Sequence, residues 1–303
     1  MTTRRPQLKV TLVGDDLSAG AGSALRRSAV LPEVRGRVLH VLRVLPGGHR
    51  SARGEEAVEE ARVALRERAE QIVGQARLDE LPRGALRATV VEGEPFVELI
   101  RHARAVDADL VLVGAHARRT WRDGVVGTTV ERIIRKGDTP VLVVKRPPRN
   151  AYRRAVAAIE ASDAARRVLD LAVALLPSSG AKLTALSCFT VPFETEISGG
   201  VREVAARTRR EYLQERSAAC QRLLSRIEAL RTVTLELAVV HGDPRVEVLR
   251  RIERERADLL VLGTHARSGL AHALLGSTAE WLIRAAPCDV AVTRPARFAF
   301  ELP

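Results

Sequence analysis

At 303 residues, with 46 % hydrophobic and 28 % charged residues, the chain can supply two ordinary domains with their own cores and is not of disordered composition. No apolar run reaches the roughly 18 residues of a membrane span, and no apolar signal core follows Arg4 and Arg5, so a cytoplasmic protein without membrane association is expected. The formal charge of +12 suits anionic partners, yet arginines alternate with glutamates, as in Glu59-Glu60-Ala61-Arg62, and aromatic residues make up 3 %. A solvated helix face fits this pattern better than nucleic-acid binding, which draws on stacking residues.

The chain then alternates short apolar runs with helical segments. Strands are expected at Leu8–Val13, Val38–Leu45, Leu86–Val91, Leu110–Val113 and Val141–Val144. Between them fall a helix starting near Ser18 to Ser23, and helices at Glu55–Gln75, Pro95–Val106 and Thr128–Lys136. After the polar, proline-rich joint Lys145-Arg146-Pro147-Pro148-Arg149-Asn150 the order recurs. Strands are expected at Ala155–Ile159, Leu183–Ser187, Leu235–Val240, Leu259–Leu262 and Val290–Thr293. Helices are expected at Asp163–Leu176, Val201–Leu230, Pro244–Glu255 and Thr278–Ala285.

The recurrence is also literal. Val90-Val91-Glu92-Gly93-Glu94-Pro95 returns 149 residues later as Val239-Val240-His241-Gly242-Asp243-Pro244. Ala108-Asp109-Leu110 and Gly127-Thr128-Thr129 return at the same offset as Ala257-Asp258-Leu259 and Gly276-Ser277-Thr278. A gapless match at so long a period is a domain duplication, not a solenoid of short units. The domains are placed at residues 1–147 and 151–297. Continuous apolar strands separated by helices specify an α/β fold: two tandem doubly wound domains, each a five-stranded parallel sheet with helices on both faces.

In such a sheet a ligand lies beyond the strand C-termini at the point where strand order reverses. The fourth strand runs into Gly114-Ala115-His116-Ala117 and then Gly127-Thr128. Its counterpart runs into Gly263-Thr264-His265-Ala266 and then Gly276-Ser277. A glycine and a hydroxyl residue opening a helix leave backbone N–H groups and the positive end of the dipole for a phosphate.

These loops resemble the nucleotide loop of the universal stress protein family, Gly-x2-Gly-x9-Gly-[Ser/Thr], and the resemblance extends over both halves. It implies strand order 3-2-1-4-5 and ATP or another adenine nucleotide as ligand. Its phosphates would lie on Gly114, His116, Ala117, Gly127, Thr128 and Thr129, or on Gly263, His265, Ala266, Gly276, Ser277 and Thr278. An acid at the end of the first strand would meet the adenosine portion: Asp16, or Glu160 in the second copy. The resemblance further implies pairing through fifth strands, made internally in a tandem chain or between chains in a homodimer.

The sequence departs from the family pattern at several points. Ala117 and Ala266 stand at the second loop glycine, Glu160 replaces the strand-end Asp, and Gly14 replaces the proline before it. A β-carbon held at positive φ costs about 1 kcal/mol or more. Two readings follow: nucleotide binding in at least one copy, or a non-catalytic interaction or chaperone-like protein with degenerate pockets or an apolar ligand. No nucleophile, general base or metal-ligand spacing accompanies His116 or His265, so no catalytic residue and no metal is assigned; slow ATP hydrolysis stays open. Cys188, Cys220 and Cys288 lie too far apart for a CxxC pair and read as reduced thiols.

Overall fold

The computed structural model describes residues 5–32, 34–45, 52–77, 85–115, 128–191, 202–264 and 275–294. The first copy comprises β1 (Val10–Gly14), α1 (Ala19–Ala29), β2 (Val38–Leu45), α2 (Ala52–Arg77), β3 (Leu86–Glu92), α3 (Pro95–Ala105), β4 (Leu110–Gly114), α4 (Thr128–Lys136) and β5 (Val141–Val144). The second comprises β6 (Arg154–Ala158), α5 (Asp163–Leu175), β7 (Lys182–Phe189), α6 (Arg202–Ser225), β8 (Thr234–His241), α7 (Pro244–Glu255), β9 (Leu259–Gly263), α8 (Ser277–Ala285) and β10 (Asp289–Thr293).

Within each copy the strands are parallel and ordered 3-2-1-4-5, the order the resemblance implies, with helices as the crossovers. The copies do not keep separate sheets. β5 and β10 pair antiparallel, giving one ten-stranded sheet in the order β3-β2-β1-β4-β5-β10-β9-β6-β7-β8. Leu142 faces Ala291 at the centre of that pairing, flanked by Val143–Val290 and Val141–Val292. Leu142 and Ala291 are 149 residues apart, so a pseudo-two-fold axis passes between them. Because the join is antiparallel, the strand C-termini of the two copies point to opposite ends of the sheet.

Each face carries one apolar layer that runs through both copies. Leu25, Leu65, Leu142, Leu169, Leu183 and Ala291 belong to one, Leu12, Ile100, Ile133, Val156, Leu260 and Ile283 to the other. Pro95 and Pro244 occupy the first turn of α3 and α7, where a missing N–H is harmless. Just before them, Gly93 and Gly242 adopt φ of +148° and +149°. A β-carbon there would meet Glu98 Cγ at 3.0 Å or Glu247 Cγ at 2.9 Å, which accounts for the repeated glycine.

Several boundaries depart from the sequence expectation, among them the ends of α2, which runs Ala52–Arg77 rather than Glu55–Gln75, and of β7, which runs Lys182–Phe189 rather than Leu183–Ser187. β1 begins at Val10 rather than Leu8. The helix expected through Leu230 ends at Ser225, and a 3-10 turn follows at Glu228–Thr232. Ile227 takes an extended conformation there, and Ile227, Ala229 and Leu230 are buried together before the chain enters β8. Burial of those side chains outweighs helix propensity in setting the boundary.

Candidate functional site

Beyond the C-termini of β1 and β4 a cleft of about 160 Å³ opens in the first copy. Leu42, Val44, Leu99, Val113 and Val130 line it with apolar surface, and Gly14, Asp15, Asp16, Gly114 and Thr129 supply its polar rim. It lies where the strand order reverses between β1 and β4. Gly14 has a specific packing reason: a β-carbon would stand 3.1 Å from Leu99 Cδ2. The second copy has Ala158 and the smaller Val248 at the corresponding positions.

Ser18 caps α1, its Oγ accepting from Ala21 N at 3.1 Å. The acids before it have different environments. Asp16 is exposed, and its Oδ1 accepts from Ser18 N at 3.0 Å. Asp15 is buried; its Oδ1 accepts from Leu17 N at 2.6 Å and its Oδ2 from Arg68 Nε of α2 at 3.1 Å. Arg68 also donates to Ser18 O at 3.0 Å, so one guanidinium ties α2 to both ends of the β1–α1 turn. Asp15 and Arg68 carry no sequence signal beyond an extra acid and one of many helix arginines.

Gly114 serves close packing. A β-carbon on it would lie 2.1 Å from Gly20 C and 2.3 Å from Gly20 O, and one on Gly20 would lie 2.6 Å from Ala115 O. Two glycines therefore let the first turn of α1 lie against the end of β4, bringing its N-terminus to the cleft. Thr128 and Thr129 open α4. His116, Ala117 and Gly127 lie outside the described residues, as do His265 and Ala266.

In the second copy Gly263 ends β9, Gly276 is the N-cap of α8, and Ser277 and Thr278 form its first turn. Gly276 N donates to Thr264 O at 3.0 Å, fastening the start of α8 to the end of β9. Ile159 takes the place of Asp15, and Glu160 that of Asp16. Glu160 is half-buried, and its Oε2 meets no hydrogen-bond donor among the described residues. The two copies thus share a backbone plan but differ in the charge beside the switch point.

Beneath the first cleft lie two histidines, His40 two residues before Leu42 on β2 and His102 one turn after Leu99 on α3. His40 Nδ1 and His102 Nε2 are 3.3 Å apart and the rings meet edge to face. Burial lowers the pKa of both, and for His40 the neighbouring His102 and Arg87 add to the effect. Among the described residues no cluster of His, Cys, Asp or Glu is placed to hold a metal ion, and no helix is long and apolar enough to cross a membrane.

Comparison with known proteins gives this geometry a family. The model of the universal stress protein family matches twice, over residues 8–145 and 151–294. The chain belongs to the universal stress protein family. A universal stress protein of Mycolicibacterium smegmatis is 28 % identical over 295 residues, covering 94 % of this chain and 96 % of its own. One from Methanocaldococcus jannaschii is 27 % identical over 146 residues, covering 48 % of this chain and 84 % of its own. The crystal structure of a universal stress protein from Archaeoglobus fulgidus superposes with a TM-score of 0.65 at 18 % identity, covering 96 % of this chain and 97 % of that one. This last likeness speaks to the tandem fold.

Proposed function

We propose that this tandem universal stress protein binds an adenine nucleotide, with the first copy's cleft taking its base or ribose. The observation that carries the reading is the cleft at the β1/β4 switch point, where Asp16, Gly114 and Thr129 meet beside the N-termini of α1 and α4. Helix N-termini favour the charge of a phosphate, and the apolar floor of Leu42, Leu99 and Val130 suits a flat base. The 160 Å³ volume lies below the roughly 300–1,000 Å³ of drug-sized pockets. The phosphates therefore extend outward, toward the first turn of α4. Binding without catalysis is proposed, because both acids at the rim are engaged: Asp15 by Arg68, and Asp16 by Ser18 N.

Calorimetric titration of the full chain with ATP, AMP and cAMP tests this, together with mass spectrometry of any ligand carried through purification. Heat from one or two sites is expected, and its absence at millimolar ATP would remove the proposal. The second copy supports a different reading, an interaction role without nucleotide, because Glu160 and Ile159 replace the acid pair of the first. If the parent chain gives no heat with ATP, A117G and A266G locate the loss: a gain of binding would identify alanine as what closes a site, and no gain would place the loss elsewhere and favour the interaction role.

A further inference from the structure

The helices that open at the two candidate sites are each held at their far end by the other copy. Lys145, the residue after β5, donates from Nζ to Ala286 O at 2.7 Å and to Arg284 O at 3.2 Å, the last carbonyls of α8. Arg294, the residue after β10, donates from one guanidinium nitrogen to Gly137 O at 3.0 Å and to Arg135 O, the last carbonyls of α4. Lys145 and Arg294 are 149 residues apart, as are the carbonyl pairs they bind, so the two clamps are one device used twice. Along the same helices Arg135 pairs with Glu280 at 2.9 Å, and Arg284 with Glu131 at 2.6 Å.

Each clamp also adjoins the loop base of its own copy. Val144 O, one residue before Lys145, accepts from Ala115 N, where the glycine loop of the first copy begins. Thr293 O, one residue before Arg294, accepts from Thr264 N at the equivalent point of the second. α4 and α8 are nine residues each, rigid rods of about 13 Å. A cation at the C-terminal carbonyls satisfies orphan acceptors and opposes the helix dipole, and thereby sets the direction of the whole rod.

We propose that Lys145 and Arg294 are positioning residues for the opposite copy's site, and that through them the two sites are coupled. A displacement at Ala115 in the first copy is carried by Val144 and Lys145 to α8, and so to the Gly276-Ser277 turn of the second. Thr264, Thr293 and Arg294 carry the reverse signal to Thr128 and Thr129. Coupling of ligand occupancy rests on the nucleotide reading above; the positioning does not.

Hydrogen exchange of the full chain tests the positioning directly. K145M should speed exchange along all of α8, up to the Glu280 amide that bonds Gly276 O, by about tenfold, the worth of one charge-assisted hydrogen bond. α4 should be unaffected. R294M should do the reverse, and K145R and R294K should restore protection. Exchange that rises equally in both helices, or only in the last turn, would overturn the proposal. ATP titration of the same variants then tests the rest: R294M should weaken ATP at the first copy's site. Where both copies bind, either variant should reduce the dependence of one site's affinity on occupancy of the other; a dependence that survives both variants would overturn the coupling. If the parent binds no ATP, the nucleotide reading fails while the exchange pattern still decides the clamps.

Discussion

Asp289 is the residue whose loss the joint between copies should tolerate least. It opens β10 with its side chain 2 % exposed. Its Oδ2 accepts from Tyr152 Oη at 2.6 Å and pairs with Arg27 Nε at 3.2 Å; its Oδ1 accepts from the Lys145 and Arg146 amides at 2.9 and 3.4 Å. Arg27 comes from α1 of the first copy, its side chain 7 % exposed and stacked 3.9 Å from the centroid of the Tyr152 ring. One buried carboxylate thus joins α1, the inter-copy segment and β10. Burial, with Asp289 adding to it, pushes the Tyr152 hydroxyl well above its usual range, so it stays a neutral donor.

Asp289→Asn keeps the shape and removes the charge. Arg27 is left buried without its counter-ion, and the new amide turns a donor toward Tyr152 or Arg27. Breaking a buried pair this way costs about 3–5 kcal/mol. At a urea slope of about 3 kcal/mol/M the midpoint should fall by about 1 M or more. Urea denaturation followed by far-UV circular dichroism measures it, and Arg27→Met/Asp289→Asn should recover at least about 1 kcal/mol relative to additivity. A single variant within about 0.5 kcal/mol of the parent, the range of an ordinary surface change, would show that Asp289 does not hold the copies together.

Three further outcomes follow from the same geometry. Gly114→Ala, with a β-carbon 2.1 Å from Gly20 C, must push α1 off β4; a loss of about 3 kcal/mol in thermal denaturation is expected, at the upper end of overpacking effects, and an unchanged melting curve would refute the close approach. Gly242→Ala, at φ +149°, should lose about 1 kcal/mol or more in the same assay, and a neutral result would refute backbone strain as the reason for that glycine. Because His40 and His102 are lowered from 6.5 in the fold, the unfolded chain takes up their protons first: the stability they contribute is complete above about pH 6.5 and lost as pH falls through the lowered values. Denaturation between about pH 8 and 5 should show that decline, and His102→Leu should flatten it; a slope unchanged by the variant would assign the decline to other groups.

Much of this architecture is legible in the residues themselves. Leu110–Val113 and Leu259–Leu262 read as strands because both faces of a parallel sheet are covered, and Pro95 and Pro244 mark helix starts by chemistry that depends on nothing distant. Other features depend on partners that spacing does not reveal. Asp15 and Asp16 are adjacent acids, and only Arg68, reaching in from α2, determines that Asp15 is the one fixed in the interior. The end of α6 at Ser225 follows from where Ile227 and Leu230 find a core, not from the helix-forming sequence around them. Val141-Leu142-Val143-Val144 would read the same on the edge of a five-stranded sheet as in the middle of a ten-stranded one.

The repeat also separates what is shared at the joint from what is singular. The β5–β10 pairing, the crossed Arg135–Glu280 and Arg284–Glu131 pairs, and the Lys145 and Arg294 clamps all obey the 149-residue offset. Contacts of that kind form a self-complementary surface, equally suited to a second chain presenting the same strand. The Asp289 hub does not repeat, since the equivalent residue is Pro140 and Tyr152 belongs to the inter-copy segment. A short covalent connection keeps the second fifth strand at high effective concentration beside the first. The hub then holds the connecting segment to α1 and β10, where a symmetric surface alone has no means of telling its own copy from another chain's. Symmetric contacts therefore supply the pairing, and the one asymmetric buried charge ties it to the covalent path that makes it internal.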